Sequence, residues 1–183
     1  FRVKNLVLCA VLDSVPKNDL DKIDSYNYGL SKQDFAEINK RILVNVTSQL
    51  YILKIFEPYL FAKSSVCLFS SIYGYLSPDH RIYKDMPFNS LPSYAASKAG
   101  VHGLTRWLAT YYGEKGIRVN TVVPGGVENN HDPEFIKRYS ERTPLGRMAN
   151  PKDLLGIILY LSSDASSYST GQQFFVDGGW TAI

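Results

Sequence analysis

Tyr94 and Lys98 stand four residues apart in Ser93-Tyr94-Ala95-Ala96-Ser97-Lys98-Ala99-Gly100. On a helix that spacing sets them one turn apart on the same face. A phenol is a poor acid near neutrality, with an unperturbed pKa of about 10. An ammonium close by favours the phenolate and lowers that value towards what general acid-base work needs. Taken alone, Tyr-x-x-x-Lys more often marks a surface Tyr and Lys on an amphipathic helix, so the surroundings decide. Upstream, Val66-Cys67-Leu68-Phe69 is a short apolar run ending in Ser70-Ser71-Ile72-Tyr73-Gly74, which reads as a buried strand delivering a hydroxyl at its C-terminal end. Earlier still, Asn45 interrupts a long helical pattern. Downstream, Ile117 to Val123 reads as a strand running into Pro124-Gly125-Gly126.

This ordered set resembles the short-chain dehydrogenase/reductase family from about Val3 to the end of the chain. The resemblance implies a catalytic tetrad of Asn45, Ser71, Tyr94 and Lys98. Tyr94 would protonate a nascent alkoxide during reduction, or take the hydroxyl proton during oxidation. Ser71 would hold the substrate oxygen, and Asn45 a water of the proton relay. Lys98 would lower the phenol's pKa and bind the nicotinamide ribose. The hydride must come from NAD or NADP, since no side chain supplies one. Ala10, Pro124, Gly125, Gly126 and Val127, with Tyr94 and Lys98, are the implied cofactor contacts. Of the family's Asn-Asn-Ala-Gly at the end of the first strand, only Ala10 is kept in Leu8-Cys9-Ala10-Val11. Where the family often has Thr two residues after Val127, the chain has Asn129.

The elements that must position these groups follow from hydrophobic period. Val3 to Leu12 is nearly continuous apolar sequence, as for a parallel strand buried on both faces. Residues 13–29 read as a loop, with Ser31 as a helix N-cap. From Lys32 to about Leu60 the positions Phe35, Ile38, Ile42, Val46, Leu50, Leu53 and Ile55 follow a helical period. Helices over 94–112, 132–142 and 153–161 and a last strand in 170–179 complete the alternation. Alternating strand and helix implies an α/β fold with a doubly wound, Rossmann-like parallel sheet, right-handed crossovers, and a ligand at the C-terminal strand edge. No glycine-rich phosphate loop follows a strand. The reading is one domain over residues 1–183, the C-terminal part of a longer polypeptide whose cofactor-binding βαβ half, on the order of 70 residues, lies outside it.

Tyr75 to Leu91 is an insertion between the serine turn and Tyr94. Its ends are anchored at the two groups that would grip the reacting oxygen, so it reads as a substrate lid. Arg81 and Lys84 are expected to meet a carboxylate or phosphate, and Tyr83 or Phe88 to stack on a ring. The insertion also resembles that of dehydrogenases like flagellin-modification protein A, which implies a sugar or nucleotide-linked sugar as substrate.

The composition is that of an ordinary globular protein: 183 residues, 45% hydrophobic, 20% charged, net charge +3. Lys and Arg are scattered, so nucleic acid is not indicated. The longest apolar stretch is too short to span a bilayer, there is no signal peptide, and the expectation is a cytoplasmic protein. Cys9 and Cys67 are read as small core residues. His80, His102, His131 and the cysteines have no metal-ligand spacing. The resemblance implies a homodimer or homotetramer. The competing reading is a non-catalytic scaffold of the same fold, serving as an oligomerisation or binding module.

Overall fold

The structure, a computed structural model, describes residues 1–13, 33–86 and 88–183. Four parallel strands form one sheet in the order β1 (Val3–Leu8), β2 (Leu60–Phe69), β3 (Arg118–Pro124) and β4 (Gln173–Val176). The register levels their C-terminal ends, with Leu8 beside Leu68, Phe69 beside Val122 and Pro124 beside Val176. The segments that leave β1, β2 and β3 therefore emerge along one edge, where such sheets place ligands.

Between the strands run α1 (Phe35–Ile42), α2 (Ser48–Phe56), α3 (Pro92–Gly113), α4 (Pro133–Arg142) and α5 (Leu155–Ser162). Leu53 of α2 and Val101 and Leu108 of α3 bury one face of the sheet, against Val66, Leu68 and Val119. Leu161 of α5 covers the other face, against Cys67 and Val122. The spatial order follows the chain order, yet the third connection crosses on the face opposite the first two. It therefore has the opposite hand, a departure from the uniformly right-handed crossovers expected.

Several elements differ from the sequence expectation. β1 ends at Leu8, and only Val3 and Leu8 are buried in it. Among the described residues it pairs on one side only, with β2, and Lys4, Asn5 and Val7 are exposed, so the strand is not buried on both faces. Asp34 caps α1, its side chain accepting from the Ala36 N–H at 3.0 Å, while Ser31 and most of the loop over 13–29 lie outside the described residues. Phe35, Leu50 and Ile55, read as core positions, are exposed. Cys67 is in the core, where burial pushes its thiol up to about 12, but Cys9 is exposed.

The link between β2 and α3 depends on Gly74. A Cβ there would sit 2.5 Å from the carbonyl carbon of Lys98 and 2.8 Å from the Ala99 nitrogen, both backbone atoms that cannot swing aside. The hydrogen at this position lets the turn after β2 lie directly on the catalytic-motif helix. Gly74→Ala is expected to destabilise the protein by about 1–3 kcal/mol through overpacking. A urea midpoint equal to that of the unaltered protein would show that turn and helix do not need this approach.

Candidate active site

Asn45 sits in a π-helical turn, Leu43–Thr47, set between α1 and α2. Such turns recur where a helix must re-aim a side chain. The Asn45 side chain is fully buried and every polar atom is engaged. Its Oδ1 accepts from the Leu12 N–H at 2.7 Å, while its Nδ2 donates to the Leu12 carbonyl at 3.1 Å and to Ser97 Oγ at 2.9 Å. Ser97 in turn donates to the Tyr94 carbonyl at 2.7 Å. The backbone oxygen of Asn45 accepts from Gln49 Nε2 at 2.5 Å. Here Asn45 is a brace. It holds the chain beyond β1 to the helix carrying Tyr94, the job the missing family asparagines left open.

Ser71 and Ser70 come from the end of β2. Ser71 is extended and caps the short 3₁₀ turn Ile72–Gly74, accepting from the Tyr73 N–H at 3.2 Å. Ser70 gives its one hydroxyl proton to the Lys98 carbonyl at 2.8 Å. His102 Nε2, 2.5 Å from the same oxygen, must then be the donor in that pair. Burial, with Arg106 nearby, lowers the His102 pKa. This buried pair fixes the helix turn that bears Lys98.

Tyr94 and Lys98 lie on one buried face of α3. The Lys98 ammonium donates to the Phe69 carbonyl at 3.2 Å and lies 5.8 Å from the Tyr94 ring centroid. The electrostatics run opposite to the sequence expectation. Burial, joined by the Asp13 carboxylate, pushes the Tyr94 phenol up, and interaction with Ser71 opposes this. Burial likewise pushes Lys98 down to about 8. Desolvation outweighs the attraction between two groups one helical turn apart, because each must surrender its hydration to the same buried face.

Pro124, Gly125, Gly126 and Val127 leave β3 at the same edge. Val127 bridges to Ala149, and the Ala149 N–H donates to the Gly126 carbonyl at 2.9 Å. Gly126 lies so close to Tyr139 that a Cβ would come within 2.7 Å of its ring, and its N–H donates to the Tyr139 hydroxyl at 2.5 Å. Tyr139 stacks on the buried Trp180 at 4.2 Å. Packing thus accounts for the second glycine of this turn. Ala10 is exposed in the segment after β1.

The insertion packs against the turn after β2 and against α4. Ile82 is buried with Ile72, Val123 and Phe135. Arg138 of α4 donates to the Lys84 carbonyl at 2.5 Å, and Arg142 lies 3.9 Å from Asp79. Arg81 is turned to solvent and makes a two-pronged pair with Asp79, at 2.8 and 2.7 Å. The Lys84 side chain is exposed too. Of the insertion residues expected at the substrate, Arg81 and Lys84 turn to solvent, while Tyr83 turns inward to Tyr73. Phe88 packs edge-on to Tyr83 and Phe135. Tyr73, Asp13 and Tyr139 were missed in the sequence. Tyr73, two residues after Ser71, carried the clearest available signal.

A nicotinamide can be fitted against this edge. A buried ammonium, a phenol and the backbone of 124–127 converge where its ribose and carboxamide would need donors and acceptors. Among the described residues no group of three His, Cys, Asp or Glu gathers as metal ligands, and no helix is long and apolar enough to cross a membrane.

Sheet, edge and side-chain set together define a Rossmann-like α/β protein with a Ser-Tyr-Lys cluster. A family profile described as enoyl-(acyl carrier protein) reductase matches residues 25–181. The chain is 41% identical over 98 residues to 2-dehydro-3-deoxy-D-gluconate 5-dehydrogenase of Escherichia coli, covering 50% of this chain and 39% of that protein. It is 35% identical over 111 residues to post-translational flagellin modification protein A of Campylobacter coli, covering 61% and 43%. Among solved structures, a short-chain dehydrogenase from Leptospira borgpetersenii with bound NAD+ superposes with a TM-score of 0.78 at 34% identity, over 97% of this chain and 65% of that one. The chain belongs to the short-chain dehydrogenase/reductase family. It spans 60% or less of the length of the curated relatives it matches.

The buried lysine has a signature in stability. An unfolded lysine titrates near 10.4, and Lys98 in the fold near 8. Between those values the unfolded chain holds a proton that the folded one releases, so stability rises with pH through the window. Below about 8 both states are protonated and the full burial cost applies. Relative to Lys98→Met, the unaltered protein should therefore gain unfolding free energy from about pH 8 to pH 10. A flat difference in chemical denaturation across that range would mean that Lys98 is not buried as a cation.

Proposed function

We propose that this chain carries the catalytic groups of an NAD(P)-dependent oxidoreductase that interconverts an alcohol and a carbonyl. The observation that carries the reading is the convergence of Ser71, Tyr94 and Lys98 at the C-terminal edge of the sheet. Pro124–Val127, Tyr94 and Lys98 would hold the nicotinamide end of the cofactor, which supplies or accepts the hydride when bound. Ser71 holds the substrate oxygen. Tyr94 passes its proton to that oxygen in reduction and takes one from it in oxidation. Lys98 supplies positive charge that steadies the phenolate left behind, and Asn45, through Ser97 and Leu12, positions the helix.

Sugars and sugar acids are the substrate class we propose. One relative is named for 2-dehydro-3-deoxy-D-gluconate and another for flagellin modification. The outward pairing of Arg81 with Asp79 gives no support to a cationic grip from the insertion on an anionic group. Tyr94→Phe removes one oxygen and should lower turnover by about 10²–10⁴-fold, while cofactor affinity, read by fluorescence titration, changes little. Equal turnover in the variant would remove Tyr94 from the chemistry, whereas no turnover in the unaltered protein with any sugar would favour the non-catalytic scaffold.

A second copy of the chain is the partner we propose for the outer face of the helices. On α3, Trp107 and Tyr111 stack at 5.0 Å and are 60% and 48% exposed. Leu50, Tyr51 and Ile55 of α2 are also exposed. Apolar area of this kind marks interaction surfaces. Trp107→Glu should shift the sedimentation velocity of the protein to that of a smaller species. An unchanged profile would place any interface elsewhere.

A further inference from the structure

Two phenols outside the tetrad share a hydrogen bond at the site wall: the hydroxyls of Tyr73 and Tyr83 lie 3.0 Å apart. Tyr73 belongs to the turn that Ser71 caps, and Gly74 of that turn rests on the Lys98 backbone. Tyr83 is the insertion's contribution. Tyr94 lies close enough to both to be felt electrostatically, and so does the Asp13 carboxylate. The Tyr83 ring is held by Phe88 at 6.1 Å and Phe135 at 5.3 Å, so its hydroxyl is fixed before anything binds.

We propose that Tyr73 and Tyr83 form a receptor for a second hydroxyl of the substrate, beside the reacting carbon, and so select a polyhydroxylated one. The proposal rests on the alcohol–carbonyl reading above and specifies its substrate. Two phenols carry two protons, and their mutual bond uses one. The other proton and the remaining lone pairs suit a hydroxyl, which both donates and accepts. A carboxylate or phosphate in the same place would need donors throughout, and the pair has only one proton left to give. A site built to bond a substrate hydroxyl discriminates strongly against an analogue lacking it, because its own polar groups are then left unpaired.

The test uses trans-cyclohexane-1,2-diol and cyclohexanol, which differ by one hydroxyl, with the full-length protein. Dissociation constants are read by ligand-observed NMR on the unaltered protein, Tyr83→Phe and Tyr73→Phe, with thermal midpoints to confirm folding. The diol is expected to bind at least tenfold more tightly than cyclohexanol, and either substitution should bring the ratio towards one. Equal binding of the two probes by the unaltered protein overturns the proposal. A ratio that survives in the folded variants also overturns it, making the pair a packing contact. Because binding is measured without turnover, a Tyr94→Phe result against the catalytic reading leaves this ratio interpretable. If one variant fails to fold, the other decides.

Discussion

The carboxamide of Asn45 joins three pieces of chain that the sheet alone does not connect. It pairs with both backbone groups of Leu12, as a neighbouring strand would, and reaches Ser97 on the helix of Tyr94 and Lys98. Asn45 and Ser97 are fully buried and Leu12 half-buried. A buried amide left without partners costs on the order of 1–3 kcal/mol, so the three pieces can separate only together. The π turn is what makes this arrangement available. The Asn45 backbone oxygen also accepts from the Gln49 side-chain amide one turn on. Strand end, helix and catalytic motif thus share one polar knot, and the position of Tyr94 depends on it.

A second constraint comes from close approach. The serine turn reaches α3 through a hydrogen at Gly74 and through Ser70, which bonds the Lys98 carbonyl and pairs with His102. The β3 turn reaches α4 through Gly126 and the Tyr139 hydroxyl, with Trp180 stacked behind. These contacts leave little slack around the phenol. Preorganisation of this kind is what acid-base work demands, since proton transfer depends on tenths of an ångström. The insertion joins the same framework through Arg138 and Arg142 of α4.

Much of this was legible in the sequence because it depends on local pattern. Parallel strands, helix order and the edge bearing Ser71 and Gly125 follow from hydrophobic period and turn residues, while Tyr94 and Lys98 join them through the family resemblance. What escaped depends on neighbours distant in the chain. Exposure of β1 is set by pairing on one side, and exposure of Phe35 by what lies across the helix, neither of which a periodic pattern contains. Arg81 looked like a substrate cation because composition cannot show that Asp79, two residues away, already holds it. Asn45 was found from its place in the pattern, but its partner Leu12, 33 residues earlier, was not. The opposite hand of the third crossover was also invisible, since hand is a property of space and not of order.

The direction of the pKa shifts carries the last step of the argument. A lysine beside a tyrosine suggests a phenol made acidic, yet here burial raises the phenol and lowers the ammonium. Both shifts favour the neutral pair, Tyr–OH with an amine closer to neutrality than usual. Asp13 works in two directions on this pair, raising the phenol and supporting the ammonium. Positive charge introduced beside Tyr94 would therefore act on a group held far above its ordinary range, where the phenol keeps its proton until the substrate oxygen needs it. That suits a proton donor in reduction. In oxidation the same phenol must first be brought down, by relief of its desolvation, by hydrogen bonds to the phenolate such as that of Ser71, or by added positive charge. Burial likewise holds the protons of Tyr73 and Tyr83, so neither phenol competes with Tyr94 to ionise.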